Sequence, residues 1–269
     1  MLVNYIKTTI YAEKVIKMAE IFLKNHWQHR KVAFLGDSIT DAIHVGTTKN
    51  YWQFLEEMLE IKPLVYGING QQVRDIPAQA ERLFNDHGDE VDAVMVFAGT
   101  NDYCGGVPLG EWFTYSECPV NFHGETVIRR KRETNYDENT FRGRINIAMK
   151  YLKEHFPASQ IILLTMLHRG FAQFSEYNIQ PPECYANGCG LFVDSYAEVI
   201  KEAANIWAVP VIDLNSLSGL YPMLDAHASY FANVNTDRLH PEISGHQRIA
   251  QTLAYQLLSL PATFRDTLK

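Results

Sequence analysis

One pattern constrains this sequence more than any other. Short apolar runs at 31–35, 63–66, 93–98, 160–166 and 209–214 each stop at a small or polar turn. Stretches with helical spacing at about 51–60, 73–86, 138–155, 193–207 and 242–259 separate or follow them. A run of four to eight apolar residues bounded by turn residues reads as a strand buried on both faces. Strands that alternate with helices make a parallel sheet covered on both sides. The expectation is therefore an α/β fold with five parallel strands. An earlier stretch, 9–28, carries Val15, Met18, Ile21 and Phe22 at helical spacing and is expected to pack on the outside, within a helical extension over 1–30.

No internal repeat and no Pro/Gly/Ser-rich linker divides the 269 residues, so the chain is expected to form a single domain over 1–269. Three connections exceed what a compact domain needs: about 103–137, 167–192 and 215–236. Each follows the carboxyl end of a strand, the edge at which open α/β sheets bind ligands, which predicts the rim of a site. The net charge of −7 argues against a general affinity for nucleic acid, because neutralising phosphates needs an excess of Lys and Arg. Cys104, Cys118, Cys184 and Cys189 show no CxxC spacing and read as free thiols. No apolar run approaches the roughly 18 residues of a membrane span. Lys7, Glu13, Lys14 and Lys17 interrupt the first twenty residues before an apolar signal core develops, so a cytoplasmic location is expected.

The strand ends carry the chemistry. Gly36-Asp37-Ser38-Ile39-Thr40 places a serine just beyond the first strand, either as a helix cap or as a nucleophile. The second strand runs into Gly67-Ile68-Asn69-Gly70, where glycine lets the backbone pass close to a bound group and aim an N–H at it. The third runs into Gly99-Thr100-Asn101-Asp102, which offers a side-chain amide at the same edge. Near the C-terminus, Asp237-Arg238-Leu239-His240-Pro241 holds a carboxylate and an imidazole three residues apart. On one local turn that spacing lets the carboxylate fix the ring's tautomer while the other ring nitrogen faces outward as a base. A serine hydroxyl needs such a base to become nucleophilic at neutral pH.

Taken as a set and in this order, the four blocks GDSIT, GING, GTND and DRLHP resemble the SGNH hydrolase (GDSL-type esterase) superfamily over about residues 31–258. The resemblance implies a three-layer α/β/α, flavodoxin-like fold around a five-stranded parallel sheet, with long loops at its C-terminal edge. It implies Ser38 as nucleophile, His240 as general base and then acid, and Asp237 as the group orienting it. The oxyanion hole would be the backbone N–H groups of Ser38 and Gly70 with the side-chain amide of Asn101. It implies neither a metal nor an organic cofactor, and a small-molecule ester as the partner. Ala42 stands where the family usually has glycine, and Val65 where it often has asparagine; neither is a reacting group. The expected activity is acyl transfer from a carboxylic ester, most simply a short acyl ester of a carbohydrate or small polar alcohol. A lipase or thioesterase using the same residues is the alternative within the mechanism, and a non-catalytic ligand-binding domain the alternative outside it.

Other features point to recognition or to packing. Arg129-Arg130-Lys131-Arg132, in the first long connection, is a solvated loop or a site for an anionic group. Trp112, Phe113, Tyr115 and Phe122 there, and Phe171, Phe174, Tyr177 and Tyr185 in the second, are either aromatic platforms for substrate or anchors for their loops. Of these, Trp112 is taken as a substrate-binding candidate, together with His168 at the end of the fourth strand. His44, His168, His227 and His246 lack metal-ligand spacing, and neither GxGxxG nor GxxxxGK[ST] occurs.

Overall fold

In the computed structural model, which describes residues 25–260 and Phe264, the five apolar runs become one parallel sheet. Along the chain come β1 (Lys31–Gly36), α1 (Tyr51–Leu59), β2 (Lys62–Val65), α2 (Ile76–His87), β3 (Ala93–Phe97) and the short α3 (Thr100–Cys104). Next are β4 (Phe113–Phe122), β5 (Glu125–Thr134), α4 (Phe141–His155), β6 (Gln160–Leu164), β7 (Ala172–Gln173) and β8 (Ile179–Gln180). Then follow α5 (Val193–Trp207), β9 (Val211–Ile212), α6 (Leu214–Leu217), β10 (Phe231–Asn233), β11 (Asp237–Pro241) and α7 (Ile243–Ser259). The sheet order is β2-β1-β3-β6-β9, every neighbouring pair parallel. The topological switch point therefore falls between β1 and β3, where flavodoxin-like sheets bind their ligands.

Alternation along each strand divides the core in two. Ala33, Leu35, Val94 and Val96 face a layer built from α2, α4 and α5, whereas Val32, Phe34, Met95 and Phe97 face α1 and α7. The first and last of the described long helices thus share one face. Their seam is sealed by His246 of α7, whose ring stacks on Tyr51 at 6.1 Å and whose Nδ1 accepts the Tyr51 N–H at 3.2 Å. Burial, reinforced by the nearby His240 and His44, drives the His246 pKa down to about 3, so the ring is neutral in the folded protein. The unfolded chain takes up a proton near pH 6.5 that the folded chain refuses. Stability should therefore fall as pH drops below about 6.5, with this residue alone contributing about 1.4 kcal/mol per pH unit. Urea midpoints at pH 7 and pH 5 should differ more for the wild type than for His246→Gln; equal differences would remove His246 from the account.

At several points the structure differs from the sequence expectations or does not reach them. Most of the helix expected over 9–28 lies outside the described residues; within them, 26–29 form a turn, closed where the Asn25 side chain accepts the Trp27 N–H at 2.8 Å. The last strand shrinks from 209–214 to Val211–Ile212, because Asp213 leaves the sheet to cap α6. The segment 103–137 is not a rim loop but mainly an antiparallel ribbon, β4 paired with β5 over ten residues each. The root of the ribbon, where β4 begins and β5 ends, is clamped on the helical layer. Asn146 of α4 donates to the Trp112 and Asn135 carbonyls, and Arg142 of α4 reaches Gly110. On the ribbon, Arg132, Arg130 and Arg129 lie over Phe113, Tyr115 and Phe122. No helix among the described residues is long and apolar enough to cross a membrane.

Candidate active site

Gly36 ends β1 so close to β3 that a Cβ there would lie 2.3 Å from the Phe97 carbonyl oxygen. The chain then turns at once: the Thr40 and Asp41 N–H groups both donate to the Asp37 carbonyl at 3.0 Å, and the Ile39 N–H to the Asp37 carboxyl at 3.1 Å. Ser38 sits on this turn, buried, and its Oγ lies 2.8 Å from His240 Nε2. The other imidazole nitrogen, Nδ1, lies 2.9 Å from Asp237 Oδ2. Asp237 Oδ1 accepts the backbone N–H groups of Leu239 and His240 at 3.1 and 3.0 Å. Burial raises the Asp237 carboxyl, but the hydrogen bond and charge of His240 and these two N–H groups outweigh it and hold the carboxyl below its usual range. An ionised Asp237 accepts a hydrogen bond from Nδ1–H, which fixes the proton on Nδ1 and leaves Nε2 as the acceptor for the serine hydroxyl.

Two further strand ends meet this pair. Gly70, at φ 79°, occupies a conformation that favours glycine, and nothing stands within 4 Å of the position a Cβ would take. Among the described residues no group accepts the N–H of Ser38 or of Gly70. Asn101, on α3, donates one amide N–H to the Gln71 carbonyl at 2.9 Å, which aims the amide and leaves its second N–H. Ser38, Gly70 and Asn101 thus follow β1, β2 and β3, the strands around the switch point of the sheet.

Behind them is a brace in which sequence reasoning missed Asp41, Gln72 and Arg144. Asp41 accepts the Asn69 N–H at 2.6 Å and the Ile43 N–H at 2.9 Å, tying the Gly70 turn to the Ser38 turn. Gln72 donates to the Asn101 carbonyl at 2.8 Å and accepts from Arg144, whose buried guanidinium also pairs with Asp102 at 2.8 Å. Burial pushes the Asp102 carboxyl up despite the Val73 N–H and Arg144. Arg144 had a signal: it lies on the apolar stripe of α4 with Phe141, Ile145 and Ala148, where a cation needs a buried partner.

The two substrate-contact candidates fare differently. Trp112 is a correction: it is buried at the root of the ribbon, in the core shared with α4 and α5, and its indole N–H donates to Glu202 at 2.7 Å. It anchors the ribbon and presents no open face to Ser38. His168 lines, with Asp37 and Thr100, a small cavity of ≈ 10 Å³, the size of a water and not of a substrate. Its Nδ1 lies 2.8 Å from Glu183, and that hydrogen bond raises the imidazole pKa. Burial pushes the Asp37 carboxyl at the same cavity up to about 7. The four cysteines are unpaired, and among the described residues no three His, Cys, Asp or Glu side chains are grouped to hold a metal ion.

With the geometry in place, comparison decides the family. The model of the GDSL-like lipase/acylhydrolase family matches residues 34–248. The chain belongs to that family. It is thus an ester-hydrolysing enzyme of the GDSL, or SGNH, type. Its fold is similar to that of a Lactobacillus plantarum protein at 23% identity, with a TM-score of 0.67 and coverage of 86% of this chain and 98% of the other. A possible lipase from Chitinophaga pinensis matches at 20% identity, TM-score 0.61, over 84% and 96% of the two chains. Axe2, an acetylxylan esterase from Geobacillus stearothermophilus, matches at 19% identity, TM-score 0.53, over 88% and 97%. Among curated proteins, none matches this sequence. At these identities the solved structures speak to the fold of this GDSL-like acylhydrolase and not to its substrate.

Proposed function

We propose that this chain removes a short acyl group, acetyl in the simplest case, from a hydroxyl of a carbohydrate or similar small polar alcohol. The observation that carries the mechanism is one imidazole joined at 2.8 Å to Ser38 and at 2.9 Å to Asp237. Ser38 Oγ attacks the ester carbonyl carbon while its proton passes to His240 Nε2. The carbonyl oxygen becomes an oxyanion, held by the N–H groups of Ser38 and Gly70 and the Asn101 amide. Collapse of the adduct breaks the bond to the alcohol, and His240 returns its proton to the departing oxygen. Water, deprotonated by the same nitrogen, then attacks the acyl-serine, releasing the carboxylic acid and restoring Ser38. Asp237 stays ionised throughout and stabilises the imidazolium formed in each half.

The acyl and alcohol preferences rest on two supports. One fold neighbour is by its title an acetylxylan esterase. The rim at the carboxyl edge is aromatic and polar, with Phe174, Tyr177, Tyr185 and Tyr221 all more than a third exposed. The test is a panel of p-nitrophenyl esters from acetyl to palmitoyl, run beside acetylated xylooligosaccharides. The expected result is a kcat/KM that is highest for acetyl and falls with each lengthening of the chain, with acetate released from the oligosaccharides. Hydrolysis confined to long acyl chains would overturn the reading in favour of a lipase.

A further inference from the structure

The hairpin 172–180 is built into the strand that carries Asp237 and His240. β7 pairs with β11 at Asp237↔Ala172, and β11 in turn pairs with β10, giving the order β10-β11-β7-β8. Three more backbone bonds lock the register: Gln173 N–H to Thr236 at 2.7 Å, and Arg238 N–H to Phe171 and Gly170 N–H to Arg238, both at 2.9 Å. The turn beyond β7 closes where the Phe174 N–H donates to the Asn178 carbonyl at 2.9 Å, and Ser175 Oγ accepts the N–H groups of Tyr177 and Asn178. Phe174 is thereby held with its ring centroid 5.2 Å from that of His240. It nevertheless remains 43% exposed, and Tyr177, three residues on, is 92% exposed. Two aromatics are thus held by a hydrogen-bonded turn, one of them against the histidine, with much of their surface in water.

The direction of the reaction says which part of a substrate meets them. This step rests on the ester-hydrolase reading above. His240 Nε2 gives its proton to the departing alcohol oxygen, so that oxygen must come within about 3 Å of the ring. The acyl carbons extend from the carbonyl on the Ser38 side, and the alcohol carbons spread over whatever borders the imidazole. Phe174 borders it and offers open apolar surface. A pyranose suits that surface, because its ring presents a flat array of C–H bonds to an aromatic face while its hydroxyls stay hydrated at the edges. We infer that Phe174 forms a sugar-stacking subsite for the alcohol half of the ester, and that Tyr177 takes the adjoining residue of a glycan chain.

The inference is tested by comparing ethyl acetate, acetylated xylose and acetylated xylooligosaccharide as substrates, with acetate release as the readout. For Phe174→Ala, the ratio of kcat/KM for acetylated xylose to that for ethyl acetate should fall about tenfold, the equivalent of about 1.4 kcal/mol. The loss should lie mainly in KM, and Phe174→Trp should restore the ratio. For Tyr177→Ala, the ratio of oligosaccharide to monosaccharide should fall severalfold. A Phe174→Ala variant that loses kcat equally on all three esters, or that keeps every ratio, overturns the subsite. The first of those results would mean that Phe174 only supports His240. A wild-type protein inert to all three acetates removes the short-acyl reading itself, and the subsite with it.

Discussion

Ser38→Ala is expected to lower kcat for ester hydrolysis by about 10⁵–10⁶-fold while leaving the protein folded. The size follows from what the hydroxyl does. It is the atom that becomes acylated, and the 2.8 Å contact with His240 gives the imidazole no purpose once that atom is gone. By transition-state arithmetic the loss corresponds to about 7–8 kcal/mol, more than any single oxyanion donor supplies. His240→Ala should cost nearly as much, and the double variant little more than either, because the two groups act as one unit. Initial rates on p-nitrophenyl acetate, with a thermal melt for each variant, provide the check. A Ser38→Ala enzyme within tenfold of wild type would show that the acyl group is carried elsewhere.

The largest expected effect on stability comes from Arg144→Met. The guanidinium is buried against Asp102, which has no exposed surface, and it also donates to Gln72. Removing one partner of a buried ion pair leaves an uncompensated charge and costs about 3–5 kcal/mol, whereas removing both is much cheaper. Arg144→Met should therefore unfold at a clearly lower urea concentration than wild type. Asp102→Asn combined with Arg144→Met should recover part of the loss, and simple additivity would argue against the pairing. Activity offers a second readout. Gln72 links Arg144 to the Asn101 carbonyl, so the variant should lose kcat more than it gains KM, through a less well aimed amide.

What could be read in advance, and what could not, follows from where each residue's signal lies. Ser38, Gly70, Asn101 and the Asp237–His240 pair each stand just beyond a strand or on one local turn, so short-range spacing pointed to one sheet edge, where the structure joins Ser38, His240 and Asp237. The ribbon gave no such signal. Its strands are exposed on both faces, so Ile128-Arg129-Arg130-Lys131-Arg132 shows no alternation, Phe113-Thr114-Tyr115-Ser116 alternates for only four residues before Glu117 breaks it, and Pro119 speaks against a strand. Strands β7 and β8 are two residues each, too short for any periodicity, and their place is set by pairing with β11 some sixty residues later. Trp112 shows the limit of residue type. An indole is equally suited to stack on a substrate or to anchor a ribbon, and only the Glu202 carboxylate on a distant helix decides.

The order of the parts along the chain bears on how the enzyme is made. Ser38 follows the first strand, while its base lies 202 residues later on β11, and α7 must then seat against α1 through His246 and Tyr51. At translation rates of about 5–20 residues per second, the nucleophile leaves the ribosome roughly 10–40 s before the histidine that activates it. Throughout that interval the emerging polypeptide carries a serine without its base. A chain interrupted anywhere before β11 likewise lacks the base that activates Ser38. Catalytic competence thus arrives only with the closing helix, which makes hydrolysis a readout of completed synthesis and folding.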